Sequence, residues 1–406
     1  MENKTKRKWT RPAIKLPVSV IIIICILPAV LTGLFYALRS VPGVMDWTSK
    51  YISAPICGFL GMLSTIYPFS ITEILVTAAI IWLIYYIIKT VMVTVRRRGK
   101  WKILGKRLLP IAVAALYIWG AFCWLWNSGY YAPGFAERNG FAGDGVALED
   151  LVTVTKLFAK KANELAPLVK RDDDGRFIEE RRDIFTASTG VYQNLILRFP
   201  SLSGRLYAPK PMLFSWLMSR TGYSGVYFAL TGEANINTNV PAPMLPSVVA
   251  HEHAHQLGVF AEDEASFVSI AACVSSGNIV FEYSGYLSGL MSLMTALHGE
   301  DLDTWNEISS ALSEDVKGDW RENYDFWESQ KTVETGIGFL DSILTSVTTT
   351  VSDAVDFVYN GYLKSQNQEL GIKSYGACVN LLVEYFAAPI AVANTAFGGM
   401  TNFSPN

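Results

Sequence analysis

Three of the four histidines in this 406-residue chain fall within five positions, His251-Glu252-His253-Ala254-His255. On a helix, side chains four apart share a face with Cβ atoms about 6 Å apart, so His251 and His255 can reach one metal ion. Glu252 is rotated by roughly 100° from His251. That places it beside such an ion rather than on it, where a carboxylate can serve as base toward an activated water. The same arithmetic turns His253 about 200° away, into a packing or supporting position. The flanks read as helix, with Ser247 as N-cap, Val248, Val249, Ala254 and Leu257 as apolar positions, and Gly258 as the stop.

A catalytic Zn2+ takes three protein ligands and keeps one position open for water. Position 261 is an alanine, which excludes a third histidine three residues past Gly258. Glu262, Asp263 and Glu264 follow, at the head of a helical pattern over 262–275 in which Ala265, Val268 and Ala272 form an apolar row. Either Glu262 or Glu264 can supply the third ligand, leaving the other to orient a histidine or simply to favour the helix N-terminus. Further along, Tyr283 and Tyr286 are candidates for stabilising an oxyanion, against a reading as core aromatics. His298, in a Leu-His-Gly-Glu turn, receives no role.

These residues need positioning elements. Residues 224–238 read as a hairpin turning near Thr231-Gly232. Ala234 and Ile236 alternate with Glu233, Asn235 and Asn237, the pattern of a half-buried strand. A strand just before the metal helix makes Ala234, Asn235 and Ile236 a candidate edge for pairing with an extended substrate. Helical stretches are predicted at 148–170 and 176–198, around the acidic turn Arg171-Asp-Asp-Asp-Gly175, which lacks the ligand spacing of a calcium loop. The 336–358 stretch is read as an amphipathic helix, because Asp341, Asp353 and Asp356 interrupt its apolar residues.

Half of all residues are hydrophobic, and the excess lies at the N-terminus. The runs at about 17–38, 71–95 and 108–126 each approach or exceed the roughly 20 residues that cross a hydrocarbon core. Ser70-Ile-Thr-Glu73 forms a capping box at the mouth of the second run, and Trp124 and Trp126 close the third like an aromatic belt. The expected architecture is a membrane region over 1–127 with three transmembrane helices. A mainly helical α+β domain with a small sheet follows over 128–406. The loop over 39–70 is expected to be interfacial or re-entrant.

Basic residues cluster in the leader (Lys4, Lys6, Arg7, Lys8, Arg11, Lys15) and in the 96–107 loop, which has no acid. The positive-inside rule then places both in the cytoplasm and delivers everything after Trp126 to the other side. Residues 1–126 hold 16 basic and 3 acidic side chains, the remainder 18 and 33. An acidic outer domain excludes nucleic acid as a partner and argues against docking on anionic lipid. The partners expected are the lipid bilayer and a peptide or protein substrate; nothing in the sequence speaks to oligomeric state. Cys273 and Cys378 are the two cysteines of the outer domain, on apolar stretches that suit buried thiols better than a disulfide.

The chain resembles a bacterial family of membrane proteins of unassigned function, a domain of unknown function that carries a zincin-type motif. The resemblance rests on Pro68-Phe-Ser70, Lys210-Pro-Met-Leu-Phe-Ser215, Thr231-Gly-Glu-Ala-Asn-Ile-Asn237, His251 to Gly258 with Glu262-Asp-Glu-Ala265, Tyr362-Leu-Lys364 and Lys373-Ser-Tyr-Gly376. Glu262-x-x-Ala265 is similar to the element that gives glutamate-zincins their third ligand. The resemblance therefore implies a zincin-like fold with Glu262 as that ligand; Ser266 stands where such families carry Asn or Asp. The resulting expectation is a membrane-anchored zinc metallopeptidase in a bacterial cytoplasmic membrane, hydrolysing peptide bonds outside it. The alternative is a catalytically idle zincin-like binding or sensor module. An intramembrane protease is disfavoured by the density of acids around the motif.

Overall fold

The computed structural model describes residues 17–95, 100–143, 145–202, 204–332, 338–366, 368 and 378–397. The basic leader, Arg96 to Arg98 and the Lys373–Gly376 motif lie outside the described residues.

Three helices are long and apolar enough to cross a membrane: α1 (Val18–Leu38), α4 (Ile71–Val95) and α5 (Lys100–Leu125). Most of their side chains face outward, as a bilayer solvent requires. They are joined by polar contacts whose groups would be costly to leave unpaired in lipid. Tyr117 Oη donates to the Ile24 carbonyl (3.0 Å), Trp124 Nε1 to the Leu31 carbonyl (3.0 Å) and Tyr86 Oη to the Arg107 carbonyl (2.8 Å). A Cβ on Gly120 would lie 2.9 Å from Thr32 Oγ1, so α1 and α5 approach where glycine permits it. The protein is membrane-associated on this evidence. The 39–70 loop is itself helical, as α2 (Pro42–Thr48), a π turn over Ser49–Ser53 and α3 (Ala54–Ser64).

The remaining chain is mostly helical. The short α6 (Phe135–Asn139) is held to α2 by the Arg138–Asp46 ion pair (2.5 Å). Next comes α7 (Leu148–Leu165), whose Leu151, Val154, Phe158 and Ala162 are buried at helical spacing. The predicted 176–198 helix is instead an isolated bridge from Arg171 to Phe177, then α8 (Arg181–Ala187) and α9 (Gln193–Arg198). After α10 (Ser215–Arg220) come the core helices α11 (Leu245–Gln256), α12 (Glu262–Val274) and α13 (Ile279–Glu300). Then come α14 (Leu302–Ala311), α15 (Glu314–Gln330), α16 (Gly338–Ser365) and α17 (Cys378–Phe397), the last with its first turns buried in the core. Phe158 seats against Gly289, where any larger residue would collide with its ring. Cys273 and Cys378 are both free and buried.

One small sheet positions the site. Its strands β1 (Lys210–Pro211), β2 (Gly225–Phe228) and β3 (Glu233–Ile236) are ordered β1-β3-β2. Lys210 pairs with Asn235 in parallel, and Val226 pairs with Asn235 antiparallel. The hairpin turn at Gly232 takes φ +67°, the left-handed region glycine tolerates. Two expectations fail here. Ala234, Asn235 and Ile236 occupy the central strand, because the two-residue β1 covers the side expected to be free; the edge strands are β1 and β2. Nor is β3 half-buried, since all four of its residues are buried.

The reason is the start of α4. Glu233 accepts hydrogen bonds from the Ile71 and Thr72 amides (3.0 and 2.8 Å) and from Thr72 Oγ1 (2.7 Å), satisfying donors that every helix N-terminus leaves open. Asn235 Oδ1 accepts from Ser70 Oγ (2.6 Å). Half of the expected capping box forms: the Glu73 amide donates to Ser70 Oγ (3.0 Å). Glu73's own carboxylate turns away, to accept from the Leu213 and Phe214 amides (2.8 and 2.6 Å). The membrane helix and the sheet are therefore one hydrogen-bonded unit.

Candidate metal centre

Pro246 lies in the first turn of α11, where a missing N–H costs nothing. Ser247, the expected N-cap, is already inside that turn. Its Oγ donates to the Met244 carbonyl (2.8 Å) and its amide to Ser284 Oγ (3.0 Å). The helix stops at Gly258, φ +85°, as the sequence predicts. That left-handed residue folds the chain back so that the Val259 amide donates to the Ala254 carbonyl (3.0 Å).

The reversal orients a histidine. His255 Nδ1 lies 2.7 Å from the Val259 carbonyl and donates to it, which turns Nε2 toward Glu262. That Nε2 is 3.4 Å from Glu262 Oε2, and His251 Nε2 is 3.1 Å from the same oxygen. The two imidazoles stand 4.8 Å apart and nearly perpendicular. His251, His255 and Glu262 offer ligand atoms all within 4.8 Å of one another, the one such group that could hold a metal ion among the described residues. Glu262's second oxygen accepts from Tyr359 Oη of α16 (2.7 Å). Ser266 Oγ lies 3.5 Å from His251 Nδ1, and Trp126, one residue past α5, packs edge-on against His255 at 5.6 Å.

Charge in this cluster is set by burial and by the partners. Burial works to raise the pKa of Glu262, but His255 and His251 beside it win and hold the carboxyl well below the usual range. Burial works to lower the pKa of His255, and the Glu262 carboxylate reverses this and pushes it up to about 9. Glu252 behaves oppositely: burial raises its pKa, and the two histidines offset that only in part.

A cavity of about 470 Å³ opens on His251 and Glu252, with Tyr223, Gly225, Ser266 and Tyr359 in its walls. Glu252 lies against β2, where a Cβ on Gly225 would come within 2.5 Å of Glu252 Oε1. Glu252 Oε2 is buried without a hydrogen-bond partner. A buried carboxylate oxygen left open is costly, and its place in this cavity suits a group that handles a proton.

Other predicted residues fall elsewhere. Glu264 accepts from the Phe135 and Ala136 amides (2.8 and 2.9 Å), capping α6. Tyr283 donates to Asp319 within a buried cluster with Arg171, and Tyr286 packs edge-on against Phe158. Neither tyrosine lines the cavity. His253 is fully buried, with Nε2 3.2 Å from the Tyr207 carbonyl, and burial pushes its pKa down to about 4. His298 packs edge-on against Trp305. Sequence reasoning missed Tyr359, Tyr223 and Gly225. Tyr359 stands three residues before the quoted Tyr362 motif, the one local clue to it.

Fold and cluster together define a membrane-associated helical protein with a His-His-Glu group in which His255 and Glu262 are buried and His251 lines a cavity. The chain belongs to DUF3810, a family of proteins of unknown function, whose model matches residues 49–383. No curated protein and no solved structure matches it.

Proposed function

We propose that this protein is a membrane-anchored, zincin-like metallopeptidase. The observation that carries the reading is Glu252, whose Oε2 is buried without a partner and which lines one cavity together with His251. Two imidazole nitrogens and one carboxylate oxygen form a donor set that suits Zn2+. His251, His255 and Glu262 would hold the ion, with the Val259 carbonyl and Tyr359 Oη fixing two of those ligands from behind. When bound, zinc supplies a Lewis acid that polarises a carbonyl and lowers the pKa of water.

The chain's own residues supply the rest. Glu252 accepts the proton of the attacking water and returns it to the leaving amine; its raised pKa suits both steps. The edge strand β2 reaches the cavity at Gly225, the side of the sheet on which an extended peptide would pair. The basic residues of the leader and of the 96–107 loop support, by the positive-inside rule, a site outside the cytoplasmic membrane.

The test uses the full-length protein in detergent, purified without a histidine tag or added zinc. About one zinc per chain is expected, lost in His255→Ala. Glu252→Gln should keep the zinc and lose peptide hydrolysis. A folded protein without stoichiometric metal would overturn the reading, as would unchanged cleavage by Glu252→Gln.

A further inference from the structure

After residue 126 acids outnumber bases by 33 to 18, yet residues 184–232 contain no acid at all. Arg198, Arg205, Lys210 and Arg220 are the charged side chains of that stretch. It also carries an apolar rim. Leu213 is 76% exposed, Trp216 57% and Leu217 44%, with Phe214 exposed beside them. Contiguous apolar surface of this kind marks an interaction site.

The rim is joined to a membrane helix. Glu73, in the first turn of α4, accepts from the Leu213 and Phe214 amides. Lys210 Nζ donates to the Ser64 and Tyr67 carbonyls just before α4 (3.0 and 2.5 Å). Ile66 and Tyr67, on that approach, are themselves exposed. Beyond the rim the chain runs from α10 directly into Thr221, Gly222 and Tyr223, which line the cavity.

We propose that α10, with Leu213 and Phe214 before it, is seated in the bilayer leaflet at which α4 begins. Its hydrogen-bonded attachment to the start of α4, a helix long and apolar enough to cross a membrane, points to the lipid bilayer surface as the partner. The acidic total of the outer domain conceals this acid-free stretch. Seating α10 holds the cavity wall at the membrane surface, so the cavity receives polypeptide segments presented close to the bilayer. That last clause rests on the peptidase reading; the docking does not.

The experiment places an environment-sensitive fluorophore on Leu213→Cys, Trp216→Cys or, as control, Asn306→Cys of exposed α14. The full chain is reconstituted in phosphatidylcholine–phosphatidylglycerol vesicles containing lipid spin-labelled near the headgroup end of the acyl chain. Cys57, Cys123, Cys273 and Cys378 are buried, and labelling of the unsubstituted chain is subtracted. Positions 213 and 216 should lose roughly half of their emission and shift to the blue, while 306 stays unchanged. Water-like emission without quenching at both 213 and 216 would overturn the docking. The same labels in His255→Ala should behave identically, so loss of the metal site and loss of docking are distinguishable. A peptide the protein cleaves should be turned over about tenfold faster when acyl-anchored on the vesicles than when free. Equal rates would overturn the membrane-presented substrate.

Discussion

Tyr359→Phe removes one oxygen and little else. The ring keeps its packing, 5.6 Å from Tyr223 and 6.1 Å from Tyr362, while Glu262 Oε1 loses its donor at 2.7 Å. A hydrogen bond to a charged acceptor contributes about 1.5–3 kcal/mol. Glu262 is buried, so water replaces the donor poorly. Removing a group that orients a metal ligand typically weakens binding by about 10–100-fold, which converts to roughly 1.4–2.7 kcal/mol. The two routes agree. Competition against a chromogenic chelator should therefore show zinc held about 10–100-fold more weakly, with circular dichroism unchanged. Tyr283→Phe is the control, because its hydroxyl serves Asp319 and lies outside the cavity. Affinity within about twofold of wild type in a folded Tyr359→Phe protein would refute the claim that Tyr359 positions Glu262.

At the proposed metal site protons would compete with the ion. His255 is pushed up to about 9 beside Glu262, so the proposed zinc would have to displace its proton at neutral pH. Apparent affinity should rise about tenfold per pH unit below 9, with about one proton released in calorimetry across two buffers; a flat profile would contradict the pairing. Metal-free stability should run the other way. A raised histidine pKa stabilises fully below the unfolded value of about 6.5, and that contribution is lost as pH rises through about 9. Gly225→Ala puts a Cβ within 2.5 Å of Glu252 Oε1. Hydrolysis should fall about tenfold or more while zinc content holds; full activity would show that β2 does not fix Glu252. Glu264→Gln weakens the cap on α6 and should lower unfolding free energy by about 1–3 kcal/mol without releasing zinc. Loss of zinc with stability intact would instead place Glu264 among the ligands.

The helical repeat makes part of the site readable from local sequence. Four residues bring His251 beside His255, and Gly258 stops the helix because only its backbone takes φ +85° cheaply. Local sequence does not decide between Glu262 and Glu264, since both are buried acids in one helical turn. Their roles separate through distant partners: the α6 amides, about 130 positions upstream, claim Glu264, and Tyr359, 97 positions downstream, binds Glu262. No periodicity carries that information.

The same reasoning explains the sheet. Alternation in Glu233-Ala234-Asn235-Ile236 reads as one wet face, because polar residues usually seek water. Here Glu233 and Asn235 find the open N-terminus of α4 instead, a partner as polar as water and far more rigid. A membrane helix that begins on the sheet thus turns the apparent solvent face into an interface, and β1, two residues long, has too little pattern to betray that β3 is central. The polar residues of β3 are therefore evidence for where the membrane region attaches. Replacing Glu233 would strip three donors at the start of α4 of their acceptor. Its effect belongs to the junction between α4 and the sheet rather than to the His-His-Glu cluster, whose histidines lie on α11.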